Sequence, residues 1–539
     1  MKKNSYIALV IFLCIVCGVL LGNIMARRAN MHNNITSFSN IVKKLGKGSK
    51  VDELLSLIDV QYVDTVNINK LTEDAVISIM ADLDPHSVYI PASELEVVNS
   101  ELEGSFGGIG VQFNIQSDTI MVVGVISGGP SEKAGLLAGD RIIEVDDSVF
   151  VGDIISDQKV MKKLRGPKNT KVKLGIKRYG TPETLYYTIT RGDIPITSID
   201  ISYMIAPEVG FIRVNKFSAT TYNEFLNGLA KLRNQGAKKL IIDLRGNSGG
   251  LMDQPITMVN EFLPRGEMIV YSEGKAYPRD DYRANGSGSF INYPLVVLID
   301  EFSASASEIF AGAIQDNDRG LIIGRRSFGK GLVQQQIPFS DGSAVRLTIA
   351  RYYTPTGRSI QKPYERGKSE EYEQDIVNRY MHGEFYTMDS IHLADSLIYH
   401  TPKGKVVYGG GGIMPDIFVA RDTTEYSPYL NRIINYGYTY QFALQYADRN
   451  REKLNLYKSD WQDMESYLDK QNILNEFVAF AETKGVKAQW KEINKSKRII
   501  DRQLKAYITR NIMGDDGFYP IFYKDDETIQ KALEELNKM

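Results

Sequence analysis

Residues 294–336 of this 539-residue chain read PLVVLIDEFSASASEIFAGAIQDNDRGLIIGRRSFGKGLVQQQ. The uninterrupted apolar run from Leu295 to Ile299 predicts a buried strand. A serine-rich turn follows, and the apolar residues after it recur at the spacing of one helix face: Ile309, Phe310, Ala313 and Ile314. A second apolar run, Leu321 to Ile323, predicts another buried strand and leads to Lys330, which lies between two glycines. This alternation of strands and a helix predicts an α/β core.

Serines at a strand-to-helix turn, with a lysine brought by the next strand, can form a hydrolytic site that needs no histidine. A serine hydroxyl is a weak nucleophile until a base takes its proton, and a lysine amine can do so only when it is neutral. Neutrality requires burial or a cationic neighbour. Lys330 is the only charged residue in SFGKGLV, which suits a desolvated amine. The helix that opens at the serines would also present free N–H groups to a developing oxyanion.

Two other interpretations fit parts of this stretch. Ser305 to Glu308 has the pattern of a helix capping box, which requires no catalytic role. Gly324 to Lys330, GRRSFGK, fits the phosphate-binding pattern GxxxxGK. However, Gly331 stands where that pattern has a magnesium-binding serine or threonine, and the next residues predict strands joined by a turn at Asp341-Gly342. The sequence therefore argues against a nucleotide site.

The order SASASEI, then FGKG, then VQ resembles the carboxyl-terminal processing peptidases, which are serine peptidases with a Ser–Lys dyad. In that family the nucleophile is the middle serine of the run and lies 25 residues before the lysine. The resemblance therefore implies Ser305 as nucleophile, Lys330 as base and Gln334 as the residue that orients the lysine. The chain departs from the family at Glu301-Phe302, where a glycine often precedes the serine run.

A glycine-rich segment follows the predicted strand Leu240 to Leu244. Its sequence, RGNSGG at residues 245–250, resembles the RxNxGG motif of the family. Glycines let a backbone approach a substrate closely. The resemblance implies an oxyanion hole formed by the amides of Gly250 and Ala306, and a simple left-handed turn is the alternative interpretation.

Residues 95–193 combine short alternating strands with one short helix, which predicts a small β domain. The segment PSEKAGLLAGDRIIEVDD strongly resembles a PDZ module. Such modules hold a terminal carboxylate on glycine-rich loop amides and pair an extended peptide with a strand edge. Arg165, in the LRG motif of the family, is either a regulatory contact or a surface arginine. The resemblance places the carboxylate loop at four residues: Gly108, Ile109, Gly110 and Val111.

The segment from Asp84 to Tyr89 resembles the LDPHSxY signature at the entry to the PDZ domain in the same family. His86 within it is an alternative base for Ser305. Asp-Pro-His-Ser is a turn sequence whose side chains usually cap the backbone, which argues against that role.

The N-terminal segment from residue 6 to residue 26 is uncharged and mostly apolar, and it lies between Lys2-Lys3 and Arg27-Arg28. About 20 apolar residues can span a bilayer, whereas a signal peptide has a shorter apolar core. We therefore predict an uncleaved inner-membrane anchor, with a cleaved signal as the alternative. Both interpretations export the rest of the chain to the bacterial cell envelope, where the catalytic part would face the periplasm.

The predicted fold class is a multidomain α/β protein with a mixed α/β peptidase core of the crotonase/Clp-like superfamily. A PDZ-like β domain is inserted into it, a helical arm precedes it and a helical extension follows it. We expect residues 362–405 to be a solvated insertion, and the extension is either an interaction domain or a structural cap. The predicted segments are 1–30 (anchor or signal), 31–94 (arm), 95–193 (PDZ), 194–420 (core) and 421–539 (extension).

These features predict a serine endopeptidase that captures exported proteins by flexible C-terminal tails and cleaves them nearby. The alternative is a non-catalytic PDZ scaffold on a degenerate peptidase core. A net charge of −2 without basic clusters argues against nucleic acid as a partner. The histidine spacing is not that of a metal site, so no cofactor is expected. The N-terminal or C-terminal helices are candidates for a homodimer interface.

Overall fold

The structure is a computed structural model that describes residues 50–116, 118–126, 128–178, 180–391 and 395–539. The predicted membrane segment, residues 6–26, lies outside these residues. Within them, no helix combines the length and the apolar character needed to cross a bilayer. The chain divides into two units after Ile79. The first unit contains helix α1 (Lys50–Gln61) and most of helix α2 (Ile68–Ala81).

The second unit begins with the last two residues of α2 and the turn after them, which leads into strand β1 (Val88–Ile90) and helix α3 (Ala92–Glu103). The domain boundary predicted at residue 95 therefore falls inside a helix. A small β domain follows. Its elements are β2 (Ser105–Gly108), β3 (Val111–Gln116), β4 (Thr119–Val125), α4 (Pro130–Ala134), β5 (Arg141–Val145), β6 (Ser148–Val149), α5 (Asp157–Leu164), β7 (Lys171–Lys177), β8 (Leu185–Thr190) and β9 (Gly192–Pro195).

The sheet of this β domain is antiparallel and has the order β3-β4-β5-β7-β8, with β6 on β5. Strand β3 therefore lies at its edge. Strands β2 and β9 pair with each other where the chain enters and leaves the domain. Alternating apolar side chains form a separate core, for example Ile120, Val122 and Leu174.

The α/β core begins where the β domain ends. Its elements are β10 (Ile199–Ala206), β11 (Val209–Val214), α6 (Thr221–Asn234), β12 (Lys239–Asp243), α7 (Asp253–Asn260), β13 (Met268–Glu273), β14 (Asp280–Arg283), β15 (Leu295–Ile299), α8 (Ala306–Asp316), β16 (Leu321–Gly324), β17 (Leu332–Pro338), β18 (Ala344–Tyr353), α9 (Ser369–Met381), β19 (Ile398–His400), β20 (Val406–Tyr408) and β21 (Ile417–Phe418).

Two sheets organise the core. The main sheet has the order β10-β11-β12-β15-β16-β21, and it is parallel except for the β10–β11 pair. The second sheet is antiparallel in the order β1-β18-β13-β14, with β17 also on β18. The predicted strands after Lys330 are thus confirmed as the β17–β18 hairpin. A phosphate-binding loop would lead into a helix at that point.

The chain ends in helices. They are α10 (Pro428–Asn435), α11 (Tyr438–Arg449), α12 (Arg451–Leu454), α13 (Trp461–Leu468), α14 (Ile473–Thr483), α15 (Trp490–Lys495), α16 (Lys497–Met513), α17 (Asp515–Phe522) and α18 (Glu527–Lys538). Helices α10 to α16 share an apolar core of their own, which includes Phe442, Phe477 and Ile500.

The main sheet is buried on both faces, which explains its continuous apolar strands. On one face Ile242, Val297 and neighbouring residues pack against α6, α7 and α8. On the other face the alternate residues, such as Val296 and Leu298, pack against α18. The last helix of the extension is therefore a structural cap on the core.

The expectation of a solvated insertion at residues 362–405 is wrong for part of the segment. Lys362, Tyr372, Arg379 and Phe385 are buried. Helix α9 carries Tyr372 and Arg379, and both side chains reach the loop that leads to Lys330. Composition misled here because the many charged residues lie on the outer face of α9.

Candidate active site

Three serines lie at the turn between β15 and α8, and their environments differ. Ser303 and Ser307 are fully buried. The Ser303 hydroxyl donates to the carbonyl of Leu244 at 2.8 Å, and the Ser307 hydroxyl donates to the carbonyl of Asn247 at 2.8 Å. Ser305 is partly exposed. Of the three, Ser305 is the serine that a substrate can reach.

The backbone at Ser305 is strained. Its φ is 55° and its ψ is −111°, a region that residues with a Cβ rarely adopt. Such strain persists only where the surroundings hold it, and it is concentrated at functional sites. Gly249 lies against this turn, because a Cβ at Gly249 would come 2.8 Å from the Cβ of Ser305. The sharp turn projects Ser305 beside the glycine-rich segment.

Glu308 connects the serine turn to the lysine loop. Its Oε2 accepts from the N–H of Ser305 at 2.8 Å and from the N–H of Lys330 at 2.9 Å. Its Oε1 accepts from the hydroxyl of Ser327 and the N–H of Gly329. Burial raises the pKa of the Glu308 carboxyl to about 7, and the four donors oppose that rise. Glu308 thus caps the start of α8, as the capping-box pattern predicts. It also restrains the loop that contains Lys330.

Lys330 is hydrogen-bonded to Gln334, the residue that the family resemblance assigns to its orientation. The lysine amine donates to Gln334 Oε1 at 2.9 Å. Burial lowers the pKa of Lys330 below its ordinary 10.5, and Arg346 lowers it further, while Glu308 and Asp84 raise it. Among the described residues, no hydrogen bond joins the amine to the Ser305 hydroxyl. Catalytic hydrogen bonds often tighten only when substrate binds.

Tyr352 contacts both the serine turn and the loop that contains Lys330. This buried tyrosine of β18 places its hydroxyl 3.0 Å from the carbonyl oxygen of Ser305 and 2.5 Å from that of Lys330. The sequence motifs do not include this residue. The signal was a tyrosine on the inward face of a strand next to the lysine strand.

The Asp84 turn supports Gln334. Asp84 Oδ1 accepts from the N–H groups of His86 and Ser87 at 2.8 and 2.9 Å, so the turn is capped as predicted. The amide of Gln334 donates to the carbonyl of His86. The His86 ring nitrogen Nε2 lies 2.8 Å from the Tyr372 hydroxyl, and burial together with the Lys330 charge lowers the pKa of His86 to about 4. The turn thus contributes its backbone to the orientation of the lysine.

The proposed oxyanion amides are both free to donate. Within the described part of the chain, the N–H groups of Gly250 and Ala306 donate no hydrogen bond. The N–H of Gly249 is occupied by Asn247 Oδ1 at 2.9 Å. Gly250 has a φ of 146°, and a Cβ there would lie 2.0 Å from the carbonyl oxygen of Phe217. Only glycine therefore fits at residue 250.

A buried ion network lies at the start of the glycine-rich segment. Arg245 donates to both oxygens of Asp243, at 2.9 and 2.8 Å, and to both oxygens of Asp526, at 2.9 Å each. Burial would raise the pKa of Asp243, but Arg245 and Arg213 hold it below its ordinary value. Asp526 also caps α18 through the N–H of Ile529. The C-terminal helix is thus tied to the glycine-rich segment that contains Gly250.

The predicted carboxylate loop lies beside edge strand β3. The N–H groups of Ile109 and Gly110 donate no hydrogen bond to the described residues. Gly110 has a φ of 78°, and all of the loop except Val111 is buried. The Arg165 guanidinium lies 4.1 Å from the ring centroid of Phe106 on β2, so it contacts the strand that enters the domain.

A peptidase core with a serine on a strained strand-to-helix turn and an inserted PDZ domain defines a PDZ-containing serine peptidase. The sequence profile of Peptidase family S41 matches residues 208–370, that of the PDZ domain matches residues 107–189, and a family of unknown function, DUF8443, matches residues 429–514. The chain belongs to the carboxy-terminal processing proteases of family S41. The predicted fold class, family and serine-peptidase activity are therefore confirmed.

Two relatives agree with this assignment. The carboxy-terminal-processing protease of Bartonella bacilliformis is 34% identical over 353 residues, which cover 64% of this chain and 79% of that protein. The carboxy-terminal processing protease CtpA of Bacillus subtilis is 35% identical over 317 residues, or 59% of this chain and 67% of that protein. A solved structure, the photosystem II D1 C-terminal processing protease, is 27% identical with a TM-score of 0.35, covering 70% of this chain and 88% of that chain.

Proposed function

We propose that this chain is an envelope endopeptidase in which Ser305 is the nucleophile and Lys330 the general base. The single observation that carries the assignment is that Ser303 and Ser307 are buried with hydroxyls bonded to carbonyls, whereas Ser305 is accessible on a strained turn. Glu308 ties the backbone of that turn to Lys330. The presence of serine, lysine and glutamine together disfavours a degenerate scaffold.

The reaction follows from the roles of these groups. The Ser305 oxygen attacks the scissile carbonyl carbon while the Lys330 amine takes the hydroxyl proton. The amides of Gly250 and Ala306 stabilise the negative oxygen of the tetrahedral intermediate. The C–N bond then breaks, and the lysine ammonium gives its proton to the leaving amine. Water then attacks the carbonyl carbon of the acyl ester while Lys330 takes one of its protons. The ester C–O bond breaks, Lys330 returns the proton to the Ser305 oxygen, and the carboxylic acid product leaves.

Burial gives Lys330 the property that the reaction needs. An ordinary lysine is almost wholly protonated at neutral pH and cannot accept a proton. Desolvation and the Arg346 charge lower the pKa of Lys330 and increase the neutral fraction. Gln334, fixed by the His86 carbonyl, restrains the amine without adding a charge.

The PDZ domain supports a role in selecting substrates by their C-termini. Among the described residues, nothing accepts from the amides of Ile109 and Gly110, which suits a carboxylate, and β3 lies at the edge of its sheet, which suits an extended peptide. The apolar segment at residues 6–26 supports anchoring in the inner membrane, with the peptidase in the periplasm and exported proteins as substrates. Helices of the arm or extension remain candidates for a homodimer interface.

Serine replacement tests the assignment. Ser305→Ala and Lys330→Ala are each expected to lower kcat for an unstructured peptide by roughly 10⁴- to 10⁶-fold, and the double variant should be no slower, because the two groups act as a unit. Peptide cleavage by the full-length protein measures this. Thermal unfolding checks that the variants remain folded.

Neighbouring serines provide the matched controls. Ser303→Ala and Ser307→Ala remove structural hydrogen bonds, so they should lower the unfolding temperature while retaining acylation by a fluorophosphonate probe. Acylation lost only in one of these two variants would place the nucleophile there. Wild-type turnover in Ser305→Ala with full acylation elsewhere would reject the dyad.

A further inference from the structure

Helix α9 of the insertion packs directly on the catalytic region. Its two buried residues, Tyr372 and Arg379, are seven positions apart and therefore lie on one face. That face meets residues 326–328, just before Lys330, and the His86 turn. The residues between them on the outer face, such as Gln374, are exposed.

Arg379 holds the backbone of the lysine loop. Its guanidinium donates to the carbonyl of Ser327 at 3.0 Å and to the carbonyl of Arg326 at 2.7 Å, and only 4% of the residue is exposed. Its Nε donates to Glu384 at 3.1 Å, and Glu384 also accepts from the Arg326 side chain. A planar guanidinium with several fixed donors can restrain two neighbouring carbonyls at once.

Tyr372 contacts two residues near Lys330, namely His86 and Phe328. Its hydroxyl lies 2.8 Å from His86 Nε2, and the His86 carbonyl accepts from the Gln334 amide. Its ring meets Phe328 edge to face at 6.0 Å. The ammonium of Lys362 lies 4.1 Å from the Phe328 centroid and 4.0 Å from the Tyr372 centroid, and it pairs with Asp375 of α9 at 2.9 Å. The helix is thus joined to the loop by several kinds of contact.

Lys330 needs such support because it lies on irregular backbone. Residues 325–331 form no helix or strand between β16 and β17, and Gly329 has a φ of 92°. Glu308 restrains this loop from the serine side. We infer that Tyr372 and Arg379 are positioning residues that restrain the loop from the opposite side and keep Lys330 in register with Ser305. This inference rests on the proposed role of Lys330 as the base.

Cleavage of an unstructured peptide by the full-length protein tests the inference. Arg379→Met should lower kcat by about 10- to 100-fold with a much smaller change in KM, because a displacement of about 1 Å in a catalytic group has this effect. Arg379→Lys keeps a donor and should recover part of the loss. Tyr372→Phe keeps the ring, removes the hydrogen bond between the tyrosine hydroxyl and His86, and should cause a smaller loss of the same kind. Gln374→Ala on the exposed face is the matched control and should behave as wild type.

The pH profile separates positioning from simple destabilisation. The charged and titratable groups that face Lys330 are Arg346 of β18, Glu308 of α8, and Asp84 and His86 of the turn before β1. A loosened loop admits water, which weakens the desolvation of Lys330 and raises its pKa. The acid limb, which is the low-pH side of the profile where kcat/KM rises with pH, should therefore move to higher pH in the Arg379→Met and Tyr372→Phe variants. Destabilisation alone would lower activity equally at all pH values.

The same assay separates a failure of the positioning role from a failure of the proposed Ser305–Lys330 dyad. Inactive Ser305→Ala and Lys330→Ala proteins in the same assay show that the dyad operates, and activity in them would reject the dyad itself. With the dyad intact, unchanged kcat in Arg379→Met and Tyr372→Phe, or a loss without movement of the acid limb, would overturn the positioning role. If Arg379→Met does not fold, Tyr372→Phe alone decides.

Discussion

At the scale of single residues, Lys330 can act as a base only while its amine is neutral, so its surroundings set the pH at which the enzyme works. Burial and Arg346 depress its pKa, whereas Glu308 and Asp84 oppose them. In the proposed mechanism the active form of Lys330 is the deprotonated amine. Activity should therefore rise with pH through an apparent pKa below 10.5.

Replacing Arg346 tests whether its charge lowers the pKa of Lys330. Arg346→Gln removes a cation near the amine, so the pKa of Lys330 should rise and the acid limb of kcat/KM should move to higher pH. Initial rates of peptide cleavage across a pH series measure the limb. Lys330→Arg should be inactive at every pH, because a guanidinium does not release its proton.

If His86 rather than Lys330 is the base, the pH profile should differ. Its pKa of about 4 is lowered by burial and by the Lys330 charge. An acid limb near pH 4 that disappears in His86→Ala would assign the base to His86. If the acid limb of kcat/KM has the same pH position as in the wild type in both Arg346→Gln and His86→Ala, neither group influences the base.

At the scale of elements, helix α18 closes the face of the main sheet opposite α8. Leu536 is fully buried there in a cluster with Val296 and Leu298 of β15, the strand that leads to the serine turn. Leu536→Ala leaves a cavity and should lower the free energy of unfolding by about 2–5 kcal/mol. Denaturant unfolding of the full-length protein measures the change.

The exposed residue next to Leu536 serves as its control. Asn537→Ala alters the same helix end without changing the packed face, so its unfolding free energy should equal that of the wild type. Equal stability of the two variants would mean that α18 does not stabilise the sheet. A helix that simply caps the core should also leave the acid limb of the activity unchanged.

At the scale of the whole molecule, the PDZ domain and the serine lie in different domains, so a substrate must reach both. The amides of Ile109 and Gly110 are expected to hold a free α-carboxylate. Amidation of a peptide's C-terminus removes that charge and should weaken binding to full-length Ser305→Ala protein. Fluorescence anisotropy of matched acid and amide peptides measures the difference.

Glycine replacements localise this effect. Gly110 and Gly128 both have positive φ, but a Cβ at Gly110 would lie 3.1 Å from Ile194, whereas a Cβ at Gly128 meets nothing within 4 Å. Gly110→Ala should abolish the preference for the free acid, and Gly128→Ala should retain it. Equal binding of acid and amide peptides by the unsubstituted loop would show that the domain does not read C-termini.

Local patterns carried much of this protein's architecture. The period of two in the PDZ strands and the apolar runs of β15 and β16 depend on neighbouring residues, so the sequence alone indicated them. The motifs SASASEI, FGKG and VQ, in that order, indicated the family, which is confirmed. The roles of those two residues stay predictions until the variants are measured.

Tertiary structure alone decided what surrounds the dyad. Arg245 and Asp526 are 281 residues apart, and Gln334 and His86 are 248 apart, so no local pattern links them. Tyr352, Tyr372 and Arg379 look like ordinary surface or strand residues until folding buries them against the lysine loop. The depressed pKa of Lys330 arises in the same way, because desolvation depends on every segment packed around the amine. Sequence thus determined which groups are present, and the fold determined which of them are close, buried and oriented.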